Sequence, residues 1–231
     1  MKLLWRWVAR ALLLFLAAVM IYQFWLFGHV VWWVRFNPST SAFMETRLDV
    51  LQDKNPKAEL RHQWVPYGRI SIHLKRALIA AEDARFLDHD GFDWLAIQKA
   101  YEKNVRHGKV VAGGSTISQQ LAKNLFLSGR RTPWRKAQEA AITIMIETVM
   151  SKRRIFEIYL NIIEWGDGVF GAEAAARHYY GTNAAYLNAE QAARLAAMVP
   201  KPRYYDRVRY TPLLERRTAI ILDYMRHSQV P

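Results

Sequence analysis

Glu82 and Asp83 leave the end of an alanine-rich stretch, Leu78-Ile79-Ala80-Ala81, and open the run EDARFLDHDG (82–91). Apolar surroundings strip solvent from a carboxylate, which raises its pKa and makes it a better proton acceptor near neutral pH, as a general base requires. The same two residues also suit a pair of surface acids matched to Arg85 and Arg76. A second run, GGSTISQQLAKNLFL (113–127), leads two glycines into a helix start that carries Ser115 and Thr116. Free N–H groups and the helix dipole at such an end attract anions or sugar oxygens. Gly114 stands where a Walker A loop needs lysine, which disfavours nucleotide binding there. Gln119, Gln120 and Lys123 lie off the Ile117/Leu121/Leu125 stripe and project from one side, either as a solvated face or as a polar wall. In a third run, TPWRKAQEAAITIMIE (132–147), Glu139 shares a face with Ile142 and Ile146. A shielded carboxylate needs a partner, and Arg135 one turn earlier offers one; the pair fits a structural ion pair as well as a functional group. Between these runs Phe126, Leu127 and Trp134 alternate with Arg130, Arg131, Arg135 and Lys136. That mixture suits a membrane interface, a phosphate-rich ligand or an ordinary helix–helix connection.

The elements that must hold these groups read as helices. Ser71 caps a helix to about Ala84, Asp93 another to about His107 before Gly108, and Gly113-Gly114-Ser115 marks the next start. Thr132-Pro133 and Thr211-Pro212 are cap-plus-first-turn pairs, the former opening an apolar helix to about Met150 that is expected to be largely buried. Asn188 caps Ala189–Val199. SKRRIFEIYLNIIEWGDGVFGAEAAARHYYG (151–181) reads as framework, with Ile155, Ile158, Tyr159 and Ile162 at helical spacing. Its closely spaced Gly166, Gly168 and Gly171 imply close packing or special dihedrals. Apart from a short extended piece at 61–66 the fold class is all-α.

The chain has 231 residues, no cysteine, 52% hydrophobic residues and a formal charge of +13. Absent cysteine excludes a disulfide framework, a Cys-ligated metal and a thiol nucleophile, and the apolar content excludes a disordered tail. Ala11–Val34 carries no charged side chain and is long enough to cross a bilayer; its length exceeds the apolar core of a cleaved signal peptide. Lys2, Arg6 and Arg10 precede it, so the positive-inside rule predicts a cytoplasmic N-terminus and an exported remainder. The expected organisation is a cytoplasmic tail (1–10), a transmembrane anchor (11–34), a stalk with one short helical turn (35–60) and a domain over 61–231. Most of the positive charge lies after the anchor, and a basic domain tethered to anionic lipid suits a lipid-linked anionic substrate better than nucleic acid.

Taken in order, Glu82-Asp83-x-x-Phe86-x-x-His89-x-Gly91, GGSTISQQLAKNLFL, Arg135-Lys136-x-x-Glu139 and the run Ile155–Asn161 resemble the motifs of the peptidoglycan glycosyltransferase family, in its monofunctional Gram-negative form. Phe156 stands where the family usually has Leu. The resemblance covers about residues 60–205. It implies a lysozyme-like helical fold and polymerisation of lipid II into glycan strands, with inversion at the donor's anomeric carbon and release of undecaprenyl diphosphate. Glu82 would be the base for the acceptor 4-hydroxyl. Glu139 would be the second essential acid. Lys123 and Arg131 would lie near the donor diphosphate, with Arg135 adding charge, and Phe86, Ser115, Gln119 and Gln120 would line the cleft. No cofactor is obligatory; a divalent cation, Mg or Mn, would fall to Asp83 or Glu139. The implied partners are lipid II, the growing strand, the bacterial inner membrane and other cell-wall synthesis or division proteins. No Ser-x-x-Lys occurs, so penicillin-sensitive cross-linking is not expected. Two rivals are a lytic transglycosylase or lysozyme-type hydrolase, which needs no diphosphate-binding cations, and a basic membrane-tethered scaffold.

Overall fold

The computed structural model describes residues 2–111, 113–127, 129 and 132–231, and the chain divides into two compact units, one through Asn37 and one from Pro38. The first is built on helix α1, Lys2–Trp32. Its apolar part, Leu4–Trp32, spans about 43 Å at 1.5 Å per residue, more than the ~30 Å of a hydrocarbon core. Near its C-terminal end Tyr22 stacks on Trp25 at 6.1 Å and Trp32 on Phe36 at 3.9 Å, residue types that favour a membrane–water interface.

The second unit is helical with one small sheet. Its elements are α2 (Ala42–Gln52), β1 (Arg61–His62), α3 (Ile72–Glu82), α4 (Trp94–His107), α5 (Ile117–Phe126), α6 (Pro133–Val149), α7 (Lys152–Ile162), β2 (Glu164–Gly166), β3 (Val169–Phe170), α8 (Ala172–Tyr180), α9 (Ala189–Met198), α10 (Pro202–Val208) and α11 (Pro212–Tyr224). Side chains close the helix starts as expected. Ser71, Asp93, Thr132, Asn188 and Thr211 each accept a bond from a backbone N–H in the first turn, and Gly108 ends α4 in the left-handed region at φ 62°. One core packs α3 against α9 and α11, and another packs α5 against α6 and α7. Ile155, Phe156, Ile158, Tyr159 and Leu160 of α7 are fully buried. The sheet order is β1-β3-β2, β1 parallel and β2 antiparallel to β3, with a bulge between Glu164 and Gly166. Gly171 shows why glycine recurs here: at φ 82° any Cβ would lie 2.6 Å from the Asn161 carbonyl oxygen.

Three expectations need correction. The segment read as a stalk contains α2, three turns capped by Ser41 and packed on α5; of its residues Met44 alone is buried, so its apolar pattern is faint. Helix α5 starts after Thr116 rather than at Ser115, because Thr116 and Gln119 form a reciprocal capping box. Helix α6 is buried on one face only. Glu139, Ile142, Thr143 and Ile146 face inward while Trp134 and Ile144 are exposed, since α6 packs on α5 and α7 and nothing among the described residues covers its other side.

Candidate active site

Helix α3 stops at Glu82 because Asp83 turns out of helical geometry, at φ −163° and ψ 73°. That turn separates the two neighbouring acids. Asp83 is buried and accepts from the Ile117 N–H at 3.0 Å and from His89 Nε2 at 3.0 Å, while the Thr116 hydroxyl donates to the Gly91 carbonyl at 2.7 Å. These bonds strap the 83–91 loop to the start of α5. The alternative reading, surface acids matched to Arg85 and Arg76, is not what forms: Arg85 binds Asp93, and no ion pair joins either arginine to Glu82 or Asp83 among the described residues.

Glu82, half-buried and with no ion pair among the described residues, faces α5 instead. The Gln120 amide donates to its Oε2 at 2.8 Å, and the Tyr159 hydroxyl donates to Gln120 Oε1 at 3.1 Å. Tyr159 is fully buried, so its hydroxyl fixes which end of the Gln120 amide meets the carboxylate. Burial pushes the Glu82 carboxyl above its ordinary value; the Gln120 bond and the charges of Arg217 and Lys123 pull it partly back, and the Asp83 charge adds to the rise. Burial also raises the Tyr159 phenol, and the Glu82 and Asp83 charges reinforce that, so the hydroxyl keeps its proton and stays a donor.

Glu139, 3% exposed, accepts from Arg135 Nη1 at 2.7 Å and from Lys136 Nζ. Lys123 on α5 connects the two acids. Burial lowers its pKa; the charge of Glu139 and, more weakly, that of Glu82 raise it, while Arg135 and Lys136 oppose them. Glu82, Gln120, Lys123, Arg135 and Glu139 therefore form one electrostatic set carried by α3, α5 and α6. The set holds a desolvated proton acceptor beside cations suited to a leaving anion.

The remaining expected site residues lie apart from this set. Ser115 is exposed just ahead of the α5 cap. Gln119, 4% exposed, uses its side chain to accept from the Thr116 N–H, so it supports α5 rather than lining a cleft. Phe86, 1% exposed, packs 5.7 Å from Phe156 with Lys152 Nζ over its ring at 4.8 Å, and so supports the loop. Arg131 lies outside the described residues. A divalent cation fits Asp83 and Glu139 poorly as they stand: both carboxylates are already held by nitrogen donors, and no cluster of three or more His, Asp and Glu side chains occurs among the described residues. Two contributors were missed. Tyr159 reads as one more apolar residue of α7, although a tyrosine in a buried stripe signals a required partner. Arg217 on α11 has no motif to reveal it.

A helical domain with this set carries the groups of an enzyme that takes a proton from one reactant and stabilises an anion leaving another. The comparisons with known proteins narrow the class. The Transglycosylase family model matches residues 49–226. A protein of Methylobacillus flagellatus named biosynthetic peptidoglycan transglycosylase is 68% identical over 222 residues, covering 96% of this chain and 97% of that protein. Proteins of the same name from Nitrosospira multiformis and Dechloromonas aromatica are 65% and 61% identical, over 226 residues (98% of each chain) and over 231 residues (100% of each chain). The chain belongs to the transglycosylase family, and it is a peptidoglycan transglycosylase.

Proposed function

We propose that the chain polymerises lipid II into linear glycan strands by inverting glycosyl transfer, without transpeptidation. The observation that carries this reading is the Glu82 carboxylate, desolvated, free of any ion pair among the described residues and coupled through Lys123 to the Glu139 cluster. Glu82 takes the proton from the acceptor's 4-hydroxyl, whose oxygen attacks the donor's anomeric carbon from the face opposite the diphosphate. The anomeric C–O bond breaks, and the electron pair leaves with undecaprenyl diphosphate. Lys123 and Arg135, joined by Arg131 in this proposal, neutralise the charge that develops there. The proton on Glu82 then passes to solvent. Ser115 and the exposed part of the cleft wall contact sugar.

Residues 1–10 lie in the cytoplasm, 11–34 cross the bacterial inner membrane, and the glycosyltransferase unit faces the periplasm. This topology follows from Lys2, Arg6 and Arg10 at the entry to α1. Purified protein incubated with labelled lipid II in detergent, with and without Mg²⁺, is expected to yield products of increasing length. Shortening of preformed strands with no growth would favour the hydrolase, and unchanged lipid II the scaffold.

Acid sensitivity gives a second test. Catalysis needs Glu82 ionised, and burial raises its pKa, so the acid limb of kcat/KM should lie at higher pH than for an ordinary carboxylate. The Gln120 bond favours the charged form. Gln120→Leu should therefore move that limb to still higher pH and cost about tenfold or more at a fixed mildly acidic pH, the value of a hydrogen bond to a charged group. A limb that stays in place would remove Gln120 from any role in tuning the base.

A further inference from the structure

A second positively charged region lies away from Glu82, Lys123 and Glu139. A cavity of about 550 Å³ is lined by Arg47 and Lys54 near α2, by Asp167 at the β2–β3 turn, by His178 of α8, and by α10 and the residue after it, with Arg203, Arg207 and Arg209. None of α3, α5 or α6 contributes to it. Its two carboxylates are already engaged. Asp167 pairs with Arg47; Asp206 accepts from the Asp167 N–H at 2.9 Å, from His178 Nε2 at 2.7 Å and from Arg209 at 3.0 Å. His178 is held between groups already on the page: Arg61 meets its Nδ1, while Asp206 and, at 3.1 Å, Arg209 meet its Nε2.

The cations are in excess. Five of them line the cavity against two carboxylates, and Lys54 and Arg207 make no side-chain hydrogen bond or ion pair among the described residues. Glu164 lies behind, 3.5 Å from Arg203 and 3.8 Å from the Nε of Arg47. The latter separation is too long for a hydrogen bond, so a buried guanidinium N–H and a buried carboxylate oxygen both lack a hydrogen-bond partner among the described residues. Burial pushes Glu164 up to about 7, so near neutral pH it offsets its arginines only in part. Arg209 adds a structural cost. It adopts φ 62° and ψ −40°, a backbone state disfavoured for a non-glycine residue, while its guanidinium lies over the Tyr179 ring at 4.6 Å. The chain thus holds like charges together around open space at some cost in strain.

We propose that this cavity is a binding site for a phosphate-bearing group, separate from the catalytic set. Guanidinium forks converging from α2 and the α10 region match an anion with several oxygens and more than one negative charge, which a phosphate or diphosphate supplies and a single carboxylate does not. The volume exceeds what one phosphate fills and admits a diphosphate or the headgroup of an anionic phospholipid. The inference is independent of the lipid II reading.

The test uses the full chain in neutral detergent, beside Lys54→Ala/Arg207→Ala. Those two side chains have no hydrogen-bond or ion-pair partners among the described residues, so the variant should melt at the wild-type temperature. Calorimetric titration with sodium diphosphate and native mass spectrometry with phosphatidylglycerol supply the two probes; any diphosphate bound near Lys123 is common to both proteins. At least one probe is expected to bind the double variant about tenfold more weakly, a difference of ~1.4 kcal/mol. Weakening of diphosphate alone assigns a soluble ligand. Weakening of the phospholipid assigns a headgroup. Equal binding of both probes by both proteins overturns the site.

Discussion

Glu82→Gln should lower the rate of strand synthesis by about 10²- to 10⁴-fold, the range that a positioned general base supplies, without lowering the melting temperature. The two halves of this expectation come from the same environment. Among the described residues Glu82 has no ion pair and its one side-chain bond is from the Gln120 amide, and glutamine can still accept that bond through its carbonyl oxygen. The carboxyl is raised by burial, so the folded state holds its proton more tightly than the unfolded chain does. A group shifted in that direction contributes stability below its unfolded pKa and loses it as pH rises through the folded value. At pH 7 the ionised carboxylate is therefore a liability to folding, and a neutral amide relieves it. Activity should fall while the thermal melt stays level or rises slightly. Near-normal turnover of lipid II by the variant would reject Glu82 as the base.

The parts of the fold that were legible are those whose signal is local. Ser71, Asp93, Thr132, Asn188 and Thr211 act through their own next turn, so type and position suffice to place the helix starts. Glu139 was readable because helical spacing alone puts it on the face of Ile142 and within reach of Arg135. Helix α2 was illegible because a single buried Met44 gives its sequence no stripe; its stability comes from a Ser41 cap and from α5, more than sixty residues on. The site failed in the same way wherever a role depends on a distant neighbour. Gln119 and Gln120 are adjacent amides on one helix, yet one closes the cap of α5 and the other holds the base, and the difference is made by Thr116 on one side and by Glu82 and Tyr159 on the other. Phe86 belongs to a motif but meets Phe156 in the core.

Glu139→Gln carries the second large effect, and it tests whether this acid acts through the cations around it. The carboxylate is 3% exposed, and its two oxygens meet Arg135 and Lys136. An amide keeps one acceptor for Arg135 but turns an N–H₂ toward the other cation. Arg135 is mostly covered while Lys136 is about half exposed, so the loss falls short of a fully enclosed ion pair, and we expect about 2 kcal/mol of destabilisation, or roughly 4–8 °C in Tm. A structural ion pair would end there. A positioning role predicts more, because the Glu139 charge is the largest influence holding up the proton on Lys123, against Arg135 and Lys136 which push it off. With that charge gone, Lys123 should lose its proton at lower pH, and the alkaline limb of the polymerisation rate should move down with it. Turnover near neutral pH should fall by about 10²-fold, comparable to removing one preorganised donor from a developing negative charge. A Glu139→Gln protein that melts lower but polymerises lipid II at the normal rate, with its alkaline limb in place, would confine Glu139 to holding α6 together.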